Sequence, residues 1–462
     1  MAQPPASAAP PAATTRQLSC ELFVLGFPLV LMDVIRRAHP LAASGFRLFP
    51  PASQELVPGL FHDDPDCLHT CAIVDLATGP STLHLPNTHG RYISVTLIDA
   101  AGEAFAGLGS RTGDHLAGDV VLAGPGWRGE VRDGARALRT PCDSVWAVTR
   151  IIGRSAADRP TVEAFAARQS LAFAQTASPP PASKARLDVL DLGALRQIAD
   201  IEPAALFHRL PQLLDRAPRA VQERLSITIR SRLSLLDESG RSGAGGRPDT
   251  AVIRGFADGW NAILAARRAM AAEPSREWTD PARDAGARSE PVARSAAVLS
   301  ALGAPMRDDI LTLTCNADES GRPLTGAEQY RIVLSAARLP PALSAWRLTA
   351  PPRETPAPGD VIGDHSPLVL GTNGTLELLI QKDPPRRRQH VNWLRAPAGP
   401  FELKLRLYAP TSDALAGSWR MAVVERLGSR ADGRLDAQAR KAASTVWRPG
   451  RSPGPPQWSL SM

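Results

Sequence analysis

Ten consecutive positions hold much of the chemistry-bearing character of this sequence: His62-Asp63-Asp64-Pro65-Asp66-Cys67-Leu68-His69-Thr70-Cys71. Alternate side chains of an extended chain share one face, so Cys67, His69 and Cys71 would project together, spaced by ~6.6 Å per two residues. Thiolate and imidazole ligands suit zinc or copper. Their bonds to the metal are only ~2.0–2.3 Å long, so neighbouring ligands could meet one ion, but all three would need a bend or bulge. Asp66 or a neighbouring strand could supply a further donor. The spacing matches no standard zinc motif. Two plainer readings stand beside the metal: Cys71 packs as a small apolar residue while His69 sits at a sheet edge, or the run lines a pocket without metal. Asp66 and His69 are also the candidates for acid–base work.

Three other groups invite the same question. Gly107-Leu108-Gly109 precedes Ser110 and Arg111; such a turn could offer backbone N–H groups to an anion with Arg111 as a bidentate partner, or simply be a hairpin bend held by a structural arginine. His69, His84, His89 and Asp99 form a loose set that sequence cannot bring together. Asp364, His365, Asn392 and Trp393 fall where loops are expected between strands, the usual place for ligand-binding residues on a rigid scaffold. His-Glu-x-x-His and the P-loop pattern are absent, which removes the best-marked metalloprotease and nucleotide sites.

The elements that must carry these residues change character along the chain. A helix is expected over Leu18–Arg37, interrupted near Pro28, with apolar residues on most of its circumference and hence buried. Cys71–Leu76, Thr82–Leu85, Tyr92–Ile98, Val120–Ala123 and Val145–Ile152 read as short strands between turns, the pattern of a sandwich or barrel. Helical spacing follows over 161–272, as in Leu206, Leu210, Leu213 and Leu214, or Val252, Phe256, Trp260 and Ile263. Strands return at Tyr330–Leu334, Trp346–Thr349, Leu376–Gln381 and Phe401–Tyr408, with Asn373-Gly374 marking a hairpin. The expected division is a disordered 1–17, a β-sandwich module with its leading helix over 18–155, a helical region and linker over 156–300, a second β module over 301–428 and a weakly ordered 429–462.

Gly 36 and Pro 43 make up about 17% of the 462 residues, below the ~25–30% of low-complexity chains and suited to a fold with many turns. The net charge is +7, but the arginines are scattered rather than striped, which argues against nucleic-acid binding. Five cysteines in so long a chain do not make a disulfide scaffold. The most apolar stretch, Leu22–Ile35, is shorter than the ~20 residues of a membrane span, so no transmembrane segment is expected. A cytoplasmic setting is favoured, with the periplasm as the alternative. A homo-oligomer stays open.

Several runs carry a resemblance. They are Gly26-Phe27-Pro28-Leu29-Val30, Gly90-Arg91-Tyr92 and Gly124-Pro125-Gly126-Trp127 early on, then Asn392-Trp393-Leu394, Pro397-Ala398-Gly399-Pro400-Phe401 and Leu405-Arg406-Leu407-Tyr408. Together they resemble the bacterial two-domain family known as domain of unknown function twelve fifty-four followed by twelve fourteen. The likeness covers about residues 18–173 and 325–427. It implies a mainly β fold with a helical insert: an immunoglobulin-like β-sandwich, a central helical region and a jelly-roll-like C-terminal sandwich. It implies no reaction. The family's Asn-x-Asp-Thr-x-Tyr motif falls here on Asp64, Asp66, Cys67 and His69, and only Asp66 keeps its type.

Two functions fit these readings. The first is a binding protein whose small ligand lies between the modules or under the helical insert, without cofactor. The second is a hydrolytic or metal-assisted enzyme using Asp66, Cys67 and His69, with Arg111 holding an anionic part of the substrate.

Overall fold

A strand buried along nearly its whole length must be covered on both faces, and two strands of this chain meet that condition. Ser144–Ile152 and Cys67–Asp75 are buried along nearly their whole length. The computed structural model that shows this describes residues 12–38, 46–48, 66–112, 118–130, 136–173, 198, 201–238, 249–272, 274–281, 290–353, 359–371, 373–385, 392–427 and 445–446. The chain divides into two units: one extends to Asp309 without Pro274–Asp280, and the other takes that segment and the chain from Ile310 onward.

In the first unit the strands are β1 Arg47–Leu48, β2 Cys67–Asp75, β3 Ser81–Leu85, β4 Ile93–Ile98, β5 Ala104–Gly109, β6 Gly118–Ala123, β7 Arg136–Arg139, β8 Ser144–Ile152 and β9 Ser170–Phe173. They form a five-stranded sheet, β1-β2-β8-β4-β5, and a four-stranded sheet, β7-β6-β3-β9. Val74, Val95, Leu97 and Val145 of the first meet Leu83 and Leu122 of the second in one core, so the expected N-terminal sandwich is present. It reaches past the expected boundary at 155, because β9 pairs with β3.

The opposite face of the five-stranded sheet is covered by helices, and these belong to the same unit rather than to a module of their own. They are α1 Ala12–Ala38, α3 Pro203–Asp215, α4 Arg219–Glu238, α5 Thr250–Ala272 and α6 Pro291–Ala301, whereas α2 Arg159–Ala166 packs on Leu68, Ile93 and Ile151 of the sandwich-side face. Cys71, Ile98, Trp146 and Val148 of the sheet share a core with Leu22, Phe27 and Leu31 of α1 and with Phe207 and Phe256 of its helical neighbours. Helix α1 begins inside the stretch expected to lack structure and runs through Pro28 without interruption. Its buried Asp33 is held by Arg36 and Arg37 at 2.9 Å and by Arg209 of α3, which is how a carboxylate is tolerated in an apolar helix. Glu202 and Glu290 accept hydrogen bonds from the first-turn N–H groups of α3 and α6, each followed by proline at the start of the helix.

One expectation needs correction. Thr15–Arg37 is long and apolar enough, by length and composition, to cross a membrane; the apolar stretch read from the sequence was too short because it stopped at its polar flanks. In the fold, 78% of the most apolar window is buried in protein, as in a core helix.

The second unit contains β10 Ile310–Cys315, β11 Gln329–Ser335, β12 Ala342–Thr349, β13 Val361–Gly363, β14 Val369–Leu370, β15 Thr375–Gln381, β16 Asn392–Arg395, β17 Leu403–Pro410, the short helix α7 Ser412–Ala416, β18 Glu425–Leu427 and β19 Thr445–Val446. The sheets β10-β17-β12-β13 and β18-β11-β15-β14-β19 pack through Leu311, Leu348 and Leu405 on one side and Tyr330, Ile332 and Ile380 on the other. Gly374, at φ 71°, makes the turn of the expected β14–β15 hairpin. Two stretches expected to be loose contribute structure: Thr279 bridges Thr314, and β19 pairs with β14.

Candidate functional site

Register decides which of the suspected side chains share a face. Across the five-stranded sheet His69 lies opposite Arg150, Arg150 opposite Ser94, and Ser94 opposite Gly109. Laterally paired residues point to the same side of a sheet. Two residues along, the same face carries Cys71, Val148 and Thr96, and beyond them the apolar residues Ile73, Trp146 and Ile98. The helix-side face thus changes from apolar to polar along its strands.

Cys67, His69 and Cys71 do alternate on that face, and all three are buried. Cys67 Sγ lies 3.8 Å from His69 Nε2. Cys71 instead packs in the apolar core beneath the helices. The pairing of β2 with β8 runs through nine successive residues, Cys67 to Asp75, without a register shift. The bulge that three ligands would need is therefore missing, and among the described residues no three His, Cys, Asp or Glu side chains form a metal-binding group. Asp66 lies in the turn before β2, where its carbonyl accepts the Gly153 N–H at 2.8 Å. His62, Asp63 and Asp64 lie outside the described residues.

Arg111 sits in a single helical turn after β5 and donates from Nε to Asp309 Oδ1 at 2.5 Å. The Tyr92 hydroxyl donates to the Asp309 carbonyl at 2.5 Å, and Gly107 leaves room for the carboxylate. Burial raises the Asp309 carboxyl while the Arg111 charge pulls the other way. Nearby, fully buried Arg150 donates to Thr96 Oγ1 at 3.1 Å and to the Gly303 carbonyl. The anion that Arg111 holds is thus a carboxylate of its own chain. His84 pairs with Asp119 at 2.7 Å on the exposed surface, away from His69.

In the second unit Asn392 and Trp393 belong to β16 rather than to a loop. The Asn392 side chain accepts the Val369 N–H at 2.7 Å and donates to the Val369 and Glu377 carbonyls at 2.8 Å each; Trp393 Nε1 donates to the Gln381 carbonyl at 3.0 Å. Both side chains stitch strands together. Asp364 and His365 do lie in a turn, 3.5 Å apart, and burial raises the Asp364 carboxyl against the pull of His365 and Arg347.

A cavity of about 170 Å³ lies in the first unit beneath the helices. Val24, Leu25 and Leu29 of α1, Val221 and Leu225 of α4 and Val298 of α6 give it an apolar lining, and Arg224, Arg294 and Glu103 are its charged residues. Arg224 is exposed and the apolar Val24, Leu29 and Val221 are buried, so the charge sits at the mouth. Burial, and then the Arg294 charge, lower the pKa of the Arg224 guanidinium. The floor is closed by the β4–β5 turn, which Asp99 builds: its Oδ1 accepts the Ala101 and Glu103 N–H groups at 2.8 and 3.1 Å. Burial raises the Asp99 carboxyl to about 6. Sequence reasoning found Asp99 but neither arginine, because the lining comes from segments as far apart as Val24 and Val298 with no local motif.

Residues 51–172 match the family model described as "Protein of unknown function (DUF1254)", and residues 309–412 match "Protein of unknown function (DUF1214)". The crystal structure of the VPA0106 protein from Vibrio parahaemolyticus is similar, at 16% identity and a TM-score of 0.58, over 90% of this chain and 100% of that one. A crystal structure of an uncharacterized protein from Burkholderia cenocepacia matches at 13% identity and a TM-score of 0.45, over 89% of this chain and 94% of that one. The first shares the fold. No curated protein matches the sequence.

Proposed function

We propose that this chain, which joins a DUF1254 domain to a DUF1214 domain, is a small-ligand-binding protein. The observation that carries the reading is the apolar cavity of about 170 Å³ under the helices. An apolar cavity of roughly 150 Å³ is enough to hold a benzene-sized guest, whereas drug-sized ligands fill ~300–1,000 Å³. The ligand is therefore small. The five free thiols support a reducing, cytoplasmic setting.

The test is calorimetric titration of the full chain with small amphipathic probes such as hexanol, hexanoate and benzoate, beside a Leu25→Trp variant that fills the cavity. Saturable binding to the wild type, lost in the folded variant, is expected. Absence of binding by every probe overturns the reading.

A second reading, a hydrolytic enzyme, draws on the Cys67–His69 approach of 3.8 Å. Thiolate chemistry would need the imidazole as its base. Turnover of an ester that Cys67→Ser abolishes would carry that reading over the first.

A further inference from the structure

We propose that Asn373 is a site of spontaneous covalent modification: its side-chain amide is lost through an internal imide with Gly374, leaving aspartate or isoaspartate in the β14–β15 hairpin.

This chemistry needs an asparagine whose side-chain carbonyl carbon lies within reach of the next residue's backbone nitrogen. It also needs a next residue that does not shield that nitrogen. Of the five asparagines, Asn87, Asn261, Asn316, Asn373 and Asn392, only Asn373 precedes a glycine. It is exposed. Gly374 adopts φ 71°, and the place its Cβ would occupy meets nothing within 4 Å, so nothing crowds the approach to its nitrogen. Asn392, by contrast, is buried and its amide makes three hydrogen bonds.

The hairpin adds a second element. Asn373 Oδ1 accepts the Thr375 N–H at 3.2 Å and the Thr375 hydroxyl at 2.7 Å. The loop closed by the first bond contains the Gly374 nitrogen, so the side-chain carbonyl is folded back over the peptide with which it reacts. When that nitrogen adds to Cγ, negative charge collects on Oδ1. Two donors already aimed at this oxygen stabilise it there, as paired donors do at an oxyanion. One bond opposes the step, since the Gly374 N–H donates to the Gly371 carbonyl at 2.9 Å. It lies at an exposed loop tip, where local opening costs little.

Hydroxide takes the Gly374 proton. The bond from nitrogen to Cγ forms, the Cγ–Nδ2 bond breaks, and the amide leaves as ammonia with a proton returned by water. Water then opens the imide at either carbonyl. One opening gives aspartate; the other gives isoaspartate, whose main chain runs through the former side chain and is one carbon longer. Each product adds a negative charge. The longer one also stretches the turn that sets the Leu370–Leu376 pairing.

The experiment is prolonged warming of the folded full-length protein at pH 8, beside a urea-unfolded sample, followed by peptide mass mapping and assay of released ammonia. The Asn373 peptide should gain one mass unit and separate into two isomers, with ammonia released in equal amount, while the peptides bearing the other four asparagines in the folded protein stay unchanged. Thr375→Val should slow the reaction about three- to tenfold, the worth of one exposed hydrogen bond, and Asn373→Gln should abolish it. Conversion in urea but none in the folded protein overturns the proposal, because the hairpin then protects the amide. An unchanged rate in Thr375→Val overturns the part given to the hydroxyl. The wild-type comparison decides the site itself even if a variant fails to fold.

Discussion

Arg111 Nε lies 2.5 Å from Asp309 Oδ1, across 198 positions of sequence. The pair fastens the turn after β5 to the end of the first unit, and its two members are unequal. Asp309 has 2% of its side chain exposed, Arg111 31%. Removing the guanidinium leaves a buried carboxylate without its cation, whereas removing the charge of Asp309 leaves a guanidinium that water can reach. Arg111→Met should therefore cost about 2–3 kcal/mol of stability and Asp309→Asn clearly less. Urea denaturation of both variants measures this, and the reverse order would show that the pair does not work in this way.

Gly255 provides a case where helix propensity and packing oppose each other. Alanine in a helix is normally better than glycine by ~1 kcal/mol. Here a Cβ on Gly255 would stand 2.1 Å from the Arg16 carbonyl oxygen of α1, a backbone atom that cannot rotate away. Gly255→Ala should lower stability by about 1–3 kcal/mol, seen as an earlier thermal transition. A stabilised variant would mean that α1 and α5 can move apart at no cost.

How much of this was legible in the sequence follows from how local each signal is. The all-round apolar α1, the helical faces of α3 and α5 and the Asn373-Gly374 hairpin were readable because each is written within one element. The alternation of Cys67, His69 and Cys71 was readable for the same reason. What the sequence could not give was the unbroken β2–β8 register that keeps the three apart. Arg150 did leave a trace: a charge inside the run Val145–Ile152 signals a buried, partnered cation. The cavity left none, since Leu25, Glu103, Arg224 and Arg294 meet only through the packing of three helices on a strand turn.

Asp99 gives stability a pH dependence of definite sign. Burial raises its folded pKa to about 6, so the folded protein holds this proton more tightly than the unfolded chain. Stability contributed by protonation is then complete below about pH 4 and is lost as pH rises through about 6. Asp99→Asn keeps an acceptor for the Ala101 and Glu103 N–H groups and removes the charge. The variant should match the wild type near pH 4 and exceed it by about 1–3 kcal/mol at pH 7.5. Chemical denaturation at the two values is the measurement; a variant less stable at the higher pH would contradict the sign.

Thiol reactivity tests the most chemically suggestive part of the sequence directly. Cysteines react as thiolates, and both access and pKa limit them. Burial pushes the Cys142 and Cys315 thiols up to about 11. Cys67 and Cys71 are 7% and 0% exposed, and Cys20 alone is half-buried. At pH 8 a disulfide reagent should therefore modify Cys20 first in the native protein, with the other four following only at the rate of unfolding, and Cys20→Ser should abolish the fast phase. If Cys67 reacts as fast as Cys20, its thiol is accessible and activated by His69, and the 3.8 Å approach then belongs to a working nucleophile and base rather than to the packing of a covered strand.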